Sequence, residues 1–113
     1  MENTIDIERE QRILEKVLQE GLDETQIIDA WYEYMQASFL FPFKVKMNEK
    51  EEEIFEVVEL APREQFEKDF IVGMRFGEDI MYAPALSLFI FGAAPKTKLA
   101  IEDWRYWVAK NKV

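Results

Sequence analysis

The chain has 113 residues, of which 14 are Lys or Arg and 23 are Asp or Glu, so its formal net charge is −9. It contains no cysteine and no histidine, which excludes disulfides, zinc-thiolate sites and the commonest general base of enzymes. The negative charge repels nucleic-acid phosphates and anionic membranes, so we expect neither as a partner. With 49% hydrophobic residues the chain can bury a core, and its length predicts a single domain, 1–113.

The sequence shows no targeting pattern. Residues 1–10 are polar and acidic, without the basic and apolar regions of a signal peptide. No apolar run approaches the roughly 20 residues that a membrane-spanning helix requires. We therefore expect a cytoplasmic protein.

Two helices are predicted in residues 1–38. The first has apolar residues at helical spacing, namely Ile13, Leu14, Val17 and Leu18. Gly21 suits the left-handed position that ends a helix. Asp23 then predicts an N-cap, with Gln26 three residues later to complete a capping box. The second helix presents an apolar face made of Ile27, Ile28, Trp31, Tyr34 and Met35.

Residues 43–91 change to the period of two that is typical of strands. Alternation over 43–47, β-branched and aromatic residues over 54–60, and one apolar face over 70–76 predict three strands. Gly77-Glu78-Asp79 predicts a turn into a returning strand over 80–82. Pro84 limits that strand or places it at a sheet edge. The apolar stretch 86–91 fits either a fifth strand or one helical turn.

A closing aromatic helix is predicted over residues 96–110, with Pro95 and Thr97 marking its start. Trp104 and Trp107 are three residues apart, so they share a face with Ile101 and Val108, and we expect them to pack in the core. The predicted fold class is α+β. It combines a small antiparallel sheet, or a partly open Src-homology-3-like barrel of four or five strands, with two N-terminal helices and one C-terminal helix.

Three segments resemble a known family. The first is Trp31-Tyr32-Glu33-Tyr34-Met35, followed by Phe41-Pro42-Phe43; the second is the strand pair ending near Ala83-Pro84. The third and most specific is Thr97 followed by Ala100-Ile101-Glu102-Asp103-Trp104-Arg105-Tyr106-Trp107. Over about residues 25–110 the chain resembles the small acidic bacterial calcium-binding proteins typified by cyanobacterial CcbP. The resemblance implies a small β fold flanked by helices that binds Ca²⁺ without an EF-hand.

A calcium site requires six to eight oxygen ligands, several of them carboxylates. The EF-hand spacing does not occur in this sequence, so the ligands would come from separate loops. The candidate metal ligands are Asp103, Glu102, Glu78, Asp79, Asp69 and Glu51. Asp103 is the acid that lies inside a motif matching the family, and Glu51 belongs to the acidic run 49–53.

Each candidate also has a plainer interpretation. The run 49–53 reads equally as a solvated loop, and Glu78-Asp79 as ordinary turn chemistry. Asp103 suits a helix dipole, or a hydrogen bond to a Trp or Tyr. Two functions therefore stay open: a calcium buffer or sensor, and an acidic interaction module that binds a basic protein. Catalysis is not expected, because no nucleophile, phosphate-binding or dinucleotide motif occurs.

Overall fold

The computed structural model describes residues 7–17, 21–66 and 69–111. Within these ranges no helix has both the length and the apolar character needed to cross a membrane. The architecture is α+β, as predicted: three helices and a five-stranded antiparallel sheet that does not close into a barrel. The elements in chain order are α1 (Ile7–Lys16), α2 (Glu24–Ser38), β1 (Phe43–Lys46), β2 (Phe55–Leu60), β3 (Ile71–Phe76), β4 (Asp79–Pro84), β5 (Phe89–Gly92) and α3 (Pro95–Asn111).

The start of α2 follows the predicted capping box. The amide of Gln26 donates to Asp23 Oδ1 at 2.8 Å, and the amide of Asp23 donates to Gln26 Oε1 at 3.0 Å. Gly21 has the positive φ, 82°, expected of a residue after a helix end. These local signals fix where the two N-terminal helices meet.

The apolar face of α1 is narrower than predicted. Ile13 and Val17 are buried, but Leu14 is 61% exposed, so its assignment to the buried face was wrong. Residues four apart lie one above the other on a helix, whereas the next residue is rotated by about 100°. Of the apolar residues predicted for this face and described here, one such row, Ile13 and Val17, is buried. Leu18 lies outside the described residues.

The sheet has the strand order β4-β3-β2-β1-β5, with every neighbouring pair antiparallel. Gly77, with φ 63°, opens the tight turn between β3 and β4. Pro84 is the last residue of the edge strand β4, which confirms its predicted place. The apolar stretch after it forms both predicted options in succession, a 3₁₀ turn at Ala85–Ser87 and then β5.

The core is aromatic and lies between the helices and the sheet. Trp31 of α2 and Trp104 of α3 are buried, with ring centroids 5.3 Å apart, and Phe70 packs 4.8 Å from Trp104. Thr97 joins the two helices, because its hydroxyl accepts from the Leu40 amide and donates to the Ser38 carbonyl, both at 2.9 Å. The predicted core role of Trp104 is confirmed, while Trp107 is half-buried at its margin.

Candidate metal centre

Asp103 lies at the centre of a partly buried polar cluster with Arg9, Arg12 and Tyr34, which we call the Asp103 cluster. It projects from α3 and is 0% exposed. The Arg12 guanidinium binds it through both ends, with Nε 2.9 Å from Oδ2 and Nη2 2.7 Å from Oδ1. Arg9 Nε lies 2.8 Å from Oδ1, and the Tyr34 hydroxyl donates to Oδ2 at 2.8 Å. Two cations and a phenol thus surround a single carboxylate.

The electrostatics of the Asp103 cluster follow from this geometry. The hydrogen bond to Asp103 raises the pKa of the Arg12 guanidinium above its ordinary value. Burial, and then the hydrogen bond to Asp103, raise the pKa of the Tyr34 phenol to about 12. An ionised carboxylate offers about four lone-pair positions, and here both oxygens are engaged by donors or cations. In this conformation Asp103 has little capacity left for a metal ion.

Glu102 precedes Asp103 on α3 but does not join it in an oxygen cage. Its Oε1 lies 3.5 Å from Arg9 Nη2, so it adds a longer ion pair to the outside of the Asp103 cluster. Arg9 therefore faces two of the predicted metal ligands. A guanidinium in that position supplies the positive charge that a bound cation would otherwise provide.

Asp69, a second buried candidate, is used by three N–H donors. It is 8% exposed, and it accepts from its own neighbour Phe70 at 2.7 Å, from the Leu86 amide at 2.6 Å and from Trp104 Nε1 at 2.8 Å. Burial raises the pKa of the Asp69 carboxyl above its usual value, and the three donors oppose that rise. Asp69 thereby ties the start of β3 to the 3₁₀ turn and to α3.

The remaining candidates lie in exposed loops. Glu78 and Asp79 are exposed at the β3–β4 turn, and Glu51 is exposed in the loop between β1 and β2. That loop is held locally by Asn48, whose side chain accepts from the Lys50 amide at 2.9 Å and whose carbonyl accepts from the Glu51 amide at 3.2 Å. The side chains of Glu51, Glu78 and Asp79 are therefore accessible to water.

The two exposed loops lie at the same end of the sheet. Because Glu56 of β2 pairs with Arg75 of β3, the chain entering β2 and the chain leaving β3 are neighbours. The rings of Phe55 and Phe76, with centroids 5.3 Å apart, mark this position. We call this region the acidic end; its carboxylates belong to Glu49, Glu51, Glu52, Glu53, Glu78 and Asp79.

The structure thus divides the six predicted ligands. Asp103, Glu102 and Asp69 are engaged by arginines or N–H donors, while Glu51, Glu78 and Asp79 share the acidic end. Among the residues described, no group of three or more acidic side chains is already arranged to hold a metal ion. An oxygen-only donor set in a chain that lacks His and Cys suits a hard cation such as Ca²⁺.

The sequence analysis offered a hydrogen bond from a Trp or Tyr to Asp103, and Tyr34 makes one. It did not predict the two arginines, Arg9 and Arg12. One signal was available: an acid beside Trp104 on an apolar helix face requires a buried donor or cation. Nothing in the spacing showed that α1 would supply it from about 90 residues away.

The comparisons with known proteins agree with this fold. A family model described as calcium binding, that of the CcbP proteins, matches residues 11–108. This chain belongs to that family. The CcbP family is a calcium-binding family and not one of enzymes. Among curated proteins, none matches this chain.

Two solved structures match the CcbP-family chain over nearly its whole length. The crystal structure of Anabaena CcbP is 30% identical, covers 95% of this chain and 94% of its own, and superposes with a TM-score of 0.81. A calcium-binding protein in its calcium-binding form is 28% identical, with coverages of 93% and 92% and a TM-score of 0.79. The resemblance seen in the sequence is therefore confirmed, including the aromatic helix that carries its most specific motif.

Proposed function

We propose that this CcbP-family protein binds Ca²⁺ through carboxylates of the acidic end, without an EF-hand, as a calcium buffer or sensor. The observation that carries the proposal is the placement of the β1–β2 loop and the β3–β4 turn side by side. Family membership, and a close structural relative described in its calcium-binding form, support the choice of ion.

The proposed ligands are Glu51, Glu78 and Asp79, with neighbouring carboxylates of the run 49–53 and loop carbonyls completing the shell. Like charges held on adjacent loops repel each other, and a divalent cation relieves that repulsion. Because these side chains are exposed, they can rotate toward an ion at the cost of their own conformational freedom. We propose that Asp103 and Asp69 act differently, by holding the helices and the sheet in place.

Isothermal titration of the intact protein with CaCl₂, repeated in millimolar MgCl₂, tests the proposal. We expect saturable calcium binding that magnesium does not abolish, since Mg²⁺ sheds its water reluctantly and demands a stricter geometry. The variant Glu78→Gln/Asp79→Asn should raise the calcium Kd about tenfold or more, because affinity depends on the number of charged ligands.

A matched variant separates ligation from the loss of net charge. Glu15→Gln/Glu33→Gln removes two exposed helical carboxylates, so it changes the net charge by the same amount. We expect its calcium Kd to stay within about twofold of the parent, because exposed charges beyond a Debye length of about 8–10 Å are screened. Equal weakening in both double variants would contradict a site at the acidic end.

Tryptophan fluorescence distinguishes a buffer from a sensor. Trp31 and Trp104 are buried in the core, and Trp107 lies at its margin. A sensor must change the arrangement of a packed element when the ion binds, which would shift this emission. A buffer would bind calcium with an unchanged spectrum.

A further inference from the structure

The strand β4 forms an open edge of the sheet. All six of its residues, Asp79–Pro84, pair with β3 without a register shift, and within the described elements no strand covers its other side. Three successive side chains are exposed: Ile80 by 40%, Met81 by 40% and Tyr82 by 59%. A regular, apolar edge with free backbone donors and acceptors is a template for pairing with another strand.

The opposite edge, β5, is protected in ways that β4 is not. It has four residues, and its pairing with β1 is interrupted by a register shift at Lys44/Val45. Its exposed Phe91 is covered by a cation, since Lys46 Nζ lies 5.3 Å from the ring centroid. Short length, irregular pairing and a nearby lysine are devices that block strand addition. Their absence from the middle of β4 sets this edge apart.

The surroundings of β4 are acidic. Glu78 and Asp79 are exposed at its start, and the Tyr82 hydroxyl donates to Glu59 Oε2 at 2.9 Å on the solvent face. Arg75, the base on this face of β3, is paired with Glu56 at 3.4 Å. A basic strand would meet complementary charge here, whereas a second copy of this chain would bring the same acids and a further net charge of −9.

We propose that the β4 edge binds an extended basic segment of another protein, in which Lys or Arg alternates with apolar residues. The segment adds to the sheet through backbone hydrogen bonds. Its cations then lie on the solvent face, beside Ile80 and Tyr82 and toward Glu59, and its apolar side chains lie on the other face, beside Met81. Backbone pairing supplies affinity in this recognition mode, and the alternate side chains supply specificity.

The probe is a synthetic ten-residue peptide that alternates lysine with valine and threonine, titrated into the intact ¹⁵N-labelled protein. A matched peptide carries glutamate in place of lysine. The buffer contains a chelator, so a failure of calcium binding has no influence on the outcome. We expect the lysine peptide to protect every second amide of 79–83 from hydrogen exchange, because alternate N–H groups of an edge strand point outward. Affinity should fall about fivefold or more from low to high salt.

Two single substitutions locate the interaction. Ile80→Lys places a cation on the exposed edge, and should weaken the lysine peptide about fivefold or more through like-charge repulsion. Leu14→Lys makes the same change at an exposed position of α1, and should leave the affinity within about twofold.

Four results would overturn the proposal. They are no binding of the lysine peptide, equal binding of the glutamate peptide, equal weakening by both lysine substitutions, and protection of the β4 amides by self-association with increasing protein concentration. The last result would assign the edge to a second copy of this chain.

Discussion

The Asp103 cluster and the acidic end both concentrate carboxylate chemistry, yet their environments are opposite. Asp103 is fully buried and held by two guanidinium groups and a phenol, all within 2.9 Å. The carboxylates of the acidic end are exposed and concentrated on two loops. A buried carboxylate must be paired with cations or hydrogen-bond donors of the protein when the chain folds, so it cannot also bind a metal ion. Exposed carboxylates need no such partners, which leaves them available to a cation from solution.

The largest effect is expected from Asp103→Asn. The substitution leaves two cations facing a neutral amide, and we expect it to lower the free energy of unfolding by about 3 kcal/mol. Urea denaturation measures this loss. Calcium affinity should change by less than about twofold once the variant is folded, since Asp103 lies outside the proposed ligands. A variant of normal stability that no longer binds calcium would exchange the roles of the two regions.

Asp69→Asn should have the next largest effect and lower the free energy of unfolding by about 2 kcal/mol. A carboxylate accepts from the three donors with two oxygens, whereas the amide has one oxygen and an NH₂ group that cannot accept. Burial raises the pKa of Asp69, so between its usual pKa and the raised value the folded protein binds more protons than the unfolded chain. Its contribution to stability therefore falls as pH rises through that window. Urea midpoints measured against pH should show this fall in the parent and not in the variant. An identical pH dependence in the two proteins would contradict the assignment.

Tyr34→Phe removes one donor from the Asp103 cluster and should cost about 1 kcal/mol. It should also remove a phenol that ionises near pH 12. Because the pKa of Tyr34 is higher in the folded state than in the unfolded state, its contribution is complete below the unfolded pKa and is lost as pH rises through the folded value. In a pH titration, the step in phenolate absorbance near pH 12 should be absent from the variant. A step that remains there would show that another tyrosine was responsible.

The smallest change in stability is expected at the acidic end. Glu78→Gln/Asp79→Asn should alter the free energy of unfolding by less than about 0.5 kcal/mol without calcium, since both side chains are exposed. With calcium present, the parent should be stabilised by the bound ion and the variant much less so. Thermal unfolding with and without CaCl₂ measures both quantities. Equal stabilisation of the two proteins would place the ion elsewhere.

Local signals predicted much of the fold. The capping box at Asp23 and Gln26, the glycine turn at Gly77 and the aromatic face around Trp104 each depend on residues within a few positions of one another. Such short-range patterns reflect backbone and side-chain geometry that a single sequence carries. The exposure of Leu14 shows their limit, because periodicity gives the apolar stripe of a helix but not the width of the surface that it meets.

The candidate site was predicted as a list of acids and not as an arrangement. Glu51 and Glu78 were both on that list, but their placement at one end of the sheet depends on the register of β2 with β3. The arginine partners of Asp103 were not predicted, because Arg9 and Arg12 come from a helix at the other end of the chain. Contacts at such separations depend on how the elements pack, which residue spacing does not record.

The sequence by itself determined the family, the α+β class, an oxygen-only set of metal ligands and the excess negative charge, since these follow from residue types and short motifs. The tertiary structure decided which carboxylates are neutralised and which remain open to a cation. The physical reason is that an acid's availability depends on its desolvation and on the cations beside it, and both arise only when distant segments come together.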